Sequence, residues 1–341
     1  MKLLIIYDHI PKTREDIRNF NGVWSYYLTR KLEELGVELD LYQGPPKTGT
    51  PKRTLLTEEQ CKHYFESIDL EGYDGILAAG LRYFTTVPRI CGETLRLRTK
   101  APICQLHEVG FLDDCPVDYT FTVRDMQWKY PPGSPSNRHE RHKKYNIPVG
   151  WVADSEVFTP KQSDDEFRVF VDHTAFNPNA ADRSLEIFHW LRWFKETGKW
   201  KKHYRSFIVW TLISGEIVEV DLDNIKTELH NRGDTIPFDE LAAEVSRSQV
   251  FCVTHPESVG QSVIEAATAG GLVIVPEGFI QADRLETVRS IAFDDKLDPD
   301  VVFNAIDPAA SRAMALRNNW ETVAQKIIST IKNFDAKKHR A

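Results

Sequence analysis

The sequence predicts an α/β protein made of two domains, each organised around a parallel sheet. Three observations carry this. First, the apolar run Val250 to Val253 leads into a loop holding Glu257, Ser258 and Gly260. A helix then starts near Gly260, with Val263, Ile264 and Ala267 at helical spacing, and stops at Gly270-Gly271 before a second apolar run, Leu272 to Val275. Strand, loop, helix and strand in that order form the repeating unit of parallel α/β sheets. Second, the same order opens the chain: Lys2 to Tyr7, a polar loop from Asp8 to Asn21, Gly22, a helix over Val23 to Leu35, Gly36, and a strand over Val37 to Leu41. Third, 341 residues exceed one typical domain and fit two of moderate size.

The remaining elements follow in chain order. Gly75 to Ala79, Pro102 to Leu106 and Tyr119 to Val123 read as further strands of the first domain. His107 and Asp125 lie at or just past the carboxyl ends of the last two, where open α/β sheets bind ligands. A polar, proline-rich, basic stretch from Pro131 to Lys144 reads as an exposed loop or a short charged helix. The domain boundary falls within 146 to 160. The second domain opens with the strand Phe167 to Val171, followed by a helix over Ser184 to Glu196. Leu185, Phe188, Leu191 and Trp193 of that helix are read as its core-facing stripe. A strand is expected over Ser206 to Leu212, a helix within the polar segment Ile217 to Arg232, and a short helix over Phe238 to Ser248. Asn319-Trp320 opens a terminal helix ending near Phe334.

Composition bounds the function. Hydrophobic residues make up 41% of the chain, enough for packed cores, yet no apolar run is long enough to span a bilayer. The start, Met1 to Asp8, turns polar too early for a signal peptide and reads as a buried strand. The 5 cysteines (Cys61, Cys91, Cys104, Cys115, Cys252) lack metal-ligand spacing, so free thiols in a reducing cytoplasm are expected. A net charge of −7 gives no global attraction to nucleic acid or acidic membranes.

The chemistry concentrates in His255-Pro-Glu-Ser-Val-Gly-Gln-Ser-Val-Ile-Glu265. Glu257 sits on a loop at the carboxyl end of a strand, and Glu265 lies about one and a half turns into the following helix. Free amides at that helix start favour an anion such as a diphosphate. Carboxylates beside a phosphate site suit a ligand with both hydroxyls and phosphates, as in a nucleotide sugar. An ordinary strand–helix–strand unit, with Glu257 a loop charge and Glu265 on a solvated helix face, would contain the same pair.

The run resembles the Glu-x7-Glu signature of retaining glycosyltransferases of GT-B fold, family 4 in particular, and Ala266, Ala269 and Gly270 fit its flanks. That resemblance implies two Rossmann-like domains facing across a cleft: 1–150 as the acceptor-side domain, 151–318 as the nucleotide-sugar domain, and 319–335 as a helix crossing back to the first. It also implies that Glu257 contacts the donor sugar and that Glu265 holds the ribose hydroxyls in a solvated cleft. Ser258, Gly260, Gln261 and Ser262 would then meet the sugar and phosphates. Asn21 and Gly22 match the family's glycine-containing loop after the first strand, although a helix-start glycine without a ligand reads equally well. His107 matches a histidine that approaches the donor sugar. Gly150, Asp154, Phe158 and Pro160 fit the family's entry into the second domain.

The chain departs from the family in one place. Where family members carry an arginine and, five residues on, a lysine, this chain has Asp172 to Ser184, with His173, Asn177, Asn179 and Arg183 but no lysine. Such cations stabilise the leaving nucleotide. Arg183 is the candidate replacement; pairing with Asp182 or Glu186 is its structural alternative. No metal is expected, since Asp221-Leu-Asp223 lies outside the signature unit. The resemblance thus implies a UDP- or GDP-sugar donor, no further cofactor, and a front-face transfer with retention. Two alternatives are a GT-B epimerase acting on nucleotide sugars and a catalytically silent nucleotide-sugar-binding protein. The acceptor (a glycan, small molecule, protein or modified base in viral DNA) is not identified by any motif. The basic-aromatic runs Arg138 to Lys144 and Lys199 to Arg205 could track a phosphate backbone or be plain solvated faces.

Overall fold

The computed structural model describes residues 1–7, 11–17, 20–43, 59, 63, 66–79, 95–107, 117–122, 146–174, 183–213, 226–231, 237–255, 260–280 and 285–335. The chain forms two compact units: Met1–Gly150 together with Trp320–Ala341, and Trp151–Asn319.

The first unit holds strands β1 (Lys2–Tyr7), β2 (Glu38–Gln43), β3 (Gly75–Ala79), β4 (Ile103–His107), β5 (Tyr119–Thr122) and β6 (Asn146–Pro148). They pair in the order β2-β1-β3-β4-β5-β6, all parallel. Parallel strands are covered on both faces, which is why β1 reads as a continuous apolar run from Leu3 to Ile6. On one face Leu4, Ile6, Ile76, Ala78 and Ile103 form a core with Ile68, Leu70 and Leu95. Helix α1 (Phe20–Glu34) begins three residues earlier than the sequence suggests, so Gly22 falls in its first turn. Its Trp24 meets Trp320 edge-on at 4.9 Å between ring centroids, and Tyr27 stacks on the same ring at 5.5 Å. Trp320 opens the terminal helix, Trp320–Lys332, whose Ile331 packs on Gly75. A Cβ at Gly75 would stand 2.9 Å from Ile331, so that close approach needs glycine.

The second unit holds β7 (Glu166–Thr174), α2 (Ser184–Glu196), β8 (Ser206–Ile213), β9 (Lys226–Asn231), α3 (Phe238–Arg247), β10 (Val250–Cys252), α4 (Gln261–Thr268), β11 (Leu272–Val275), β12 (Ser290–Ala292), α5 (Pro299–Ala305) and α6 (Pro308–Ala315). The terminal helix of the first unit is therefore α7. Sheet order is β12-β11-β10-β7-β8-β9, again all parallel. Connections run outward from β7 to one edge and return at β10 to build the other. The topological switch point thus lies at the carboxyl ends of β7 and β10.

One sequence expectation in this unit needs correction, and another lies partly outside the described residues. Within the segment Ile217 to Arg232 the described residues Lys226–Asn231 form the edge strand β9, and the remainder, where the helix is expected, lies outside the described residues. With a single neighbour, β8, this strand can remain as polar as Lys-Thr-Glu-Leu-His-Asn, and its charges discourage further pairing. The core face of α2 also differs. Ser184, Ile187, Phe188, Trp190, Leu191 and Phe194 are buried, whereas Leu185 and Trp193 are exposed. Those two fall on the far side of the 3.6-residue wheel, so only Phe188 and Leu191 of the expected stripe face inward. They join an aromatic cluster in which Phe167 and Phe194 stack at 5.4 Å.

Candidate functional site

The switch point of the second unit is built from three backbone features. Strand β7 is regular up to Val171 and then shifts register against β8 before Thr174. Such irregularities bend a strand locally, and here the stretch concerned runs through Asp172 and His173. Next to them β10 ends, and the chain passes through Val253, Thr254 and His255. The carbonyl of Thr254 accepts the backbone N–H of Arg183 at 2.7 Å, which pins the start of α2 to this edge. Helix α4 begins one residue after Gly260, whose φ of 63° and ψ of 43° are left-handed. Gly260 is required twice over, because a Cβ there would stand 2.8 Å from the Cζ2 atom of the buried Trp151.

The side chains of α4 bring two carboxyl groups together. Ser262 donates its hydroxyl to Asp172 Oδ2 at 3.2 Å. Gln261 donates its amide to the Val152 carbonyl at 3.2 Å and to Glu265 Oε1 at 3.0 Å. Asp172 and Glu265 are each only 6% exposed. Glu265 therefore does not face solvent as expected: Val263 to Thr268 are all buried, so α4 has no solvated side at that position. Desolvation pushes the Glu265 carboxyl up to about 8, opposed by the Gln261 amide and reinforced by the Asp172 charge. At neutral pH this carboxyl is mostly protonated.

The far end of α4 is fixed from below. Gly270, at φ 89°, terminates the helix against Pro308 of α6. Arg312 of α6 donates to the carbonyls of Thr268 at 2.6 Å, Phe158 at 2.5 Å and Ser155 at 2.7 Å. One guanidinium thus holds the end of α4 and the chain entering the unit in a single frame.

The other expected site residues divide as follows. Gly260, Gln261, Ser262, Glu265 and Arg183 all fall at or beside the switch point. Arg183 forms a salt bridge with Glu186 one turn along α2, and its guanidinium lies 5.5 Å from the Phe293 ring centroid. His173 belongs to β7, in the irregular stretch. His107 is the last residue of β4, opposite Thr122 of β5, at the carboxyl edge of the first sheet. Asn21 and Gly22 occupy the first turn of α1. Glu257, Ser258 and Asp125 lie outside the described residues, as do Asn177, Asn179 and the Asp221-Leu-Asp223 run. Asp172 was not singled out in the sequence; the signal available was an acidic residue closing the apolar strand from Phe167 to Val171. Among the described residues no group of three or more His, Cys, Asp or Glu is arranged to hold a metal ion. No described helix is long and apolar enough to cross a membrane.

No family model and no curated protein matches the sequence. Solved structures do match the fold. A sucrose-phosphate synthase from Thermosynechococcus elongatus aligns over 97% of this chain and 98% of its own, with TM-score 0.57 and 13% identity. An α,α-trehalose 6-phosphate synthase from Burkholderia multivorans gives 97% and 98% coverage, TM-score 0.57 and 13% identity. A UDP-GlcNAc 2-epimerase from Neisseria meningitidis, bound to UDP-GlcNAc, covers 98% of this chain and 100% of its own, with TM-score 0.57 and 10% identity. At such identities the likeness is one of fold. Two all-parallel Rossmann-like units and near-complete alignment to these structures give this chain the GT-B fold.

Proposed function

We propose that this protein is a glycosyltransferase that uses a nucleotide sugar, a UDP- or GDP-sugar, and transfers the sugar with retention by a metal-independent front-face route. The observation that carries the reading is the position of Gly260, Gln261, Ser262 and Glu265 at the switch point of the second unit, where open α/β sheets take ligands. The Glu-x7-Glu spacing adds to it. In this reading Glu265 accepts the ribose hydroxyls, Glu257 and His107 orient the sugar, and the start of α4 faces the phosphates with Ser258 and His173. Asn21 and Gly22 would serve the first unit's side of the donor. The acceptor hydroxyl attacks on the face from which the nucleotide departs, and a donor phosphate oxygen takes its proton, so no protein nucleophile is needed. Arg183 would supply the cation that the absent arginine–lysine pair leaves out, after exchanging Glu186 for the diphosphate.

Incubation with a panel of UDP- and GDP-sugars, following nucleotide release with and without candidate acceptors, tests this. Acceptor-dependent release supports the transferase. Interconversion of the donor without an acceptor would make the protein an epimerase, and binding without turnover would leave it a nucleotide-sugar-binding module.

A further inference from the structure

Strands β4 and β5 of the first unit turn polar on one face as they approach their carboxyl ends. Strands inside a parallel sheet are ordinarily apolar throughout. β4 obeys this at Ile103, which joins Leu4, Ile6, Ile76 and Ala78 in the core of the unit. Two residues on stands Gln105, in register with Ala78 on one side and Thr120 on the other. Its amide donates to Thr120 Oγ1 at 2.9 Å. Thr122, two residues beyond Thr120, ends β5 as the register partner of His107. Gln105, Thr120 and Thr122 are 3%, 6% and 1% exposed. Gln105 Oε1 and Thr122 Oγ1 are buried, and neither has a hydrogen-bond partner among the described residues.

A buried polar atom without a partner costs stability, and an apolar side chain of the same shape would avoid that cost. What these two atoms require is specific. Gln105 Oε1 only accepts, whereas Thr122 Oγ1 can donate and accept. A hydroxyl answers each of them. A phosphate or carboxylate would satisfy Thr122 but has no proton for Gln105, and none of the three side chains carries a compensating charge. From this juxtaposition we infer that Gln105 and Thr122 form a second ligand subsite, at the carboxyl end of the first sheet, which binds two neutral hydroxyls of a carbohydrate acceptor. The acceptor role rests on the transferase reading above; the hydroxyl site does not.

Ligand-observed NMR titrations of the full chain test this with methyl α-glucoside, methyl α-galactoside, methyl α-mannoside and N-acetylglucosamine, in the presence of UDP and of GDP. At least one sugar should bind. Thr122→Val should weaken it about tenfold, the loss of one buried hydrogen bond, and Thr122→Ser should hold it within about threefold. Gln105→Met, which removes Oε1 at similar length, should also cost about tenfold. Without sugar, the urea midpoint of Thr122→Val should equal or exceed that of the wild type, because no bond to the protein is lost. Binding of none of the sugars overturns the inference, as does unchanged sugar affinity in both folded variants. A lowered midpoint in Thr122→Val with sugar affinity intact means a buried water only, and overturns it too. If Thr122→Val weakens UDP-glucose or GDP-mannose but not UDP or GDP, the hydroxyls are the donor's and the acceptor assignment falls. Thr122-dependent sugar binding by a protein that takes no nucleotide or nucleotide sugar overturns the donor reading instead and leaves the hydroxyl subsite standing.

Discussion

Gly260 and Trp151 occupy one another's space: a single methyl group on Gly260 would come within 2.8 Å of the Trp151 ring. The glycine also holds a left-handed φ of 63° immediately before α4. Gly260→Ala therefore meets two penalties, roughly 1–2 kcal/mol for the backbone and 1–3 kcal/mol for overpacking. We expect a loss of about 2–5 kcal/mol by urea unfolding. Adding Trp151→Leu should recover only the packing share. A variant as stable as wild type would mean that the ring simply moves aside and the strain is absent.

Stability should depend on pH through Glu265. Its folded carboxyl titrates near 8, above its ordinary value of 4.5, so between those values the folded state binds more protons than the unfolded one. Stability from this group is thus full below about pH 4.5 and is lost as pH rises through 8. Glu265→Gln removes that loss. The variant should gain on wild type from pH 5 to pH 9, reaching about 2–4 kcal/mol in its favour. Urea midpoints at pH 5, 7 and 9 check this, and a gap that does not change with pH would sink it.

The same carboxyl should tie nucleotide binding to pH. Ribose hydroxyls donate best to the ionised form, so affinity should improve as pH rises toward 8 and above, with proton release detectable by calorimetry in buffers of different ionisation enthalpy. Glu265→Ala should weaken nucleotide binding by about 1–3 kcal/mol and flatten this dependence. Affinity that is level from pH 6 to 9 would remove Glu265 from the ribose site.

Glu257→Gln and His107→Ala should divide differently. Both should depress turnover while sparing affinity for the free nucleoside diphosphate, because their proposed contacts are with the sugar. Parallel titrations with the diphosphate and the intact donor decide the question. Equal losses for the two ligands would show that neither residue is sugar-specific.

Arg183 is tied to Glu186 by an ion pair. Glu186→Gln should free the guanidinium and raise donor affinity severalfold, since a competing charge partner is lost. Arg183→Lys should lose much of the rate and Arg183→Ala nearly all of it, because a planar fork matches phosphate oxygens and a point charge does not. Because Arg183 is half-buried at the helix start, both variants should keep wild-type stability within about 1 kcal/mol. Full activity in Arg183→Ala would rule out its proposed role.

What the sequence revealed, and what it hid, follows from how many neighbours each segment has. Lys2–Tyr7, Gly75–Ala79 and Leu272–Val275 are legible to the residue because strands inside a parallel sheet must be apolar throughout. Edge strand β9 is not, because one partner suffices for Lys226–Asn231 and leaves no apolar pattern to read. The bounds of α2 were legible from its length and its flanks, but its inward face was not, since Trp193 is large, aromatic and nonetheless exposed. At the candidate site, the helix carrying Glu265 was visible in the spacing of Val263, Ile264 and Ala267. The burial of Glu265 was not, because periodicity reports one covered face and α4 is covered all round. Asp172 escaped for a simpler reason: an acidic residue after an apolar run looks like the start of a loop.

The position of Trp320 against Trp24 bears on how the chain acquires its structure during synthesis. The second unit is one uninterrupted stretch, Trp151–Asn319, and can condense as soon as it leaves the ribosome. The first unit is not, for the side of β3 at Gly75 and the rings of Trp24 and Tyr27 stay uncovered until α7 is translated. The earlier-made half is then the later to mature, holding an apolar surface open while some 170 residues are added, at roughly 5–20 residues per second. Nascent chains halted at Asn319 should therefore recruit holding chaperones through their amino-terminal half, and release them once residues 320–332 emerge.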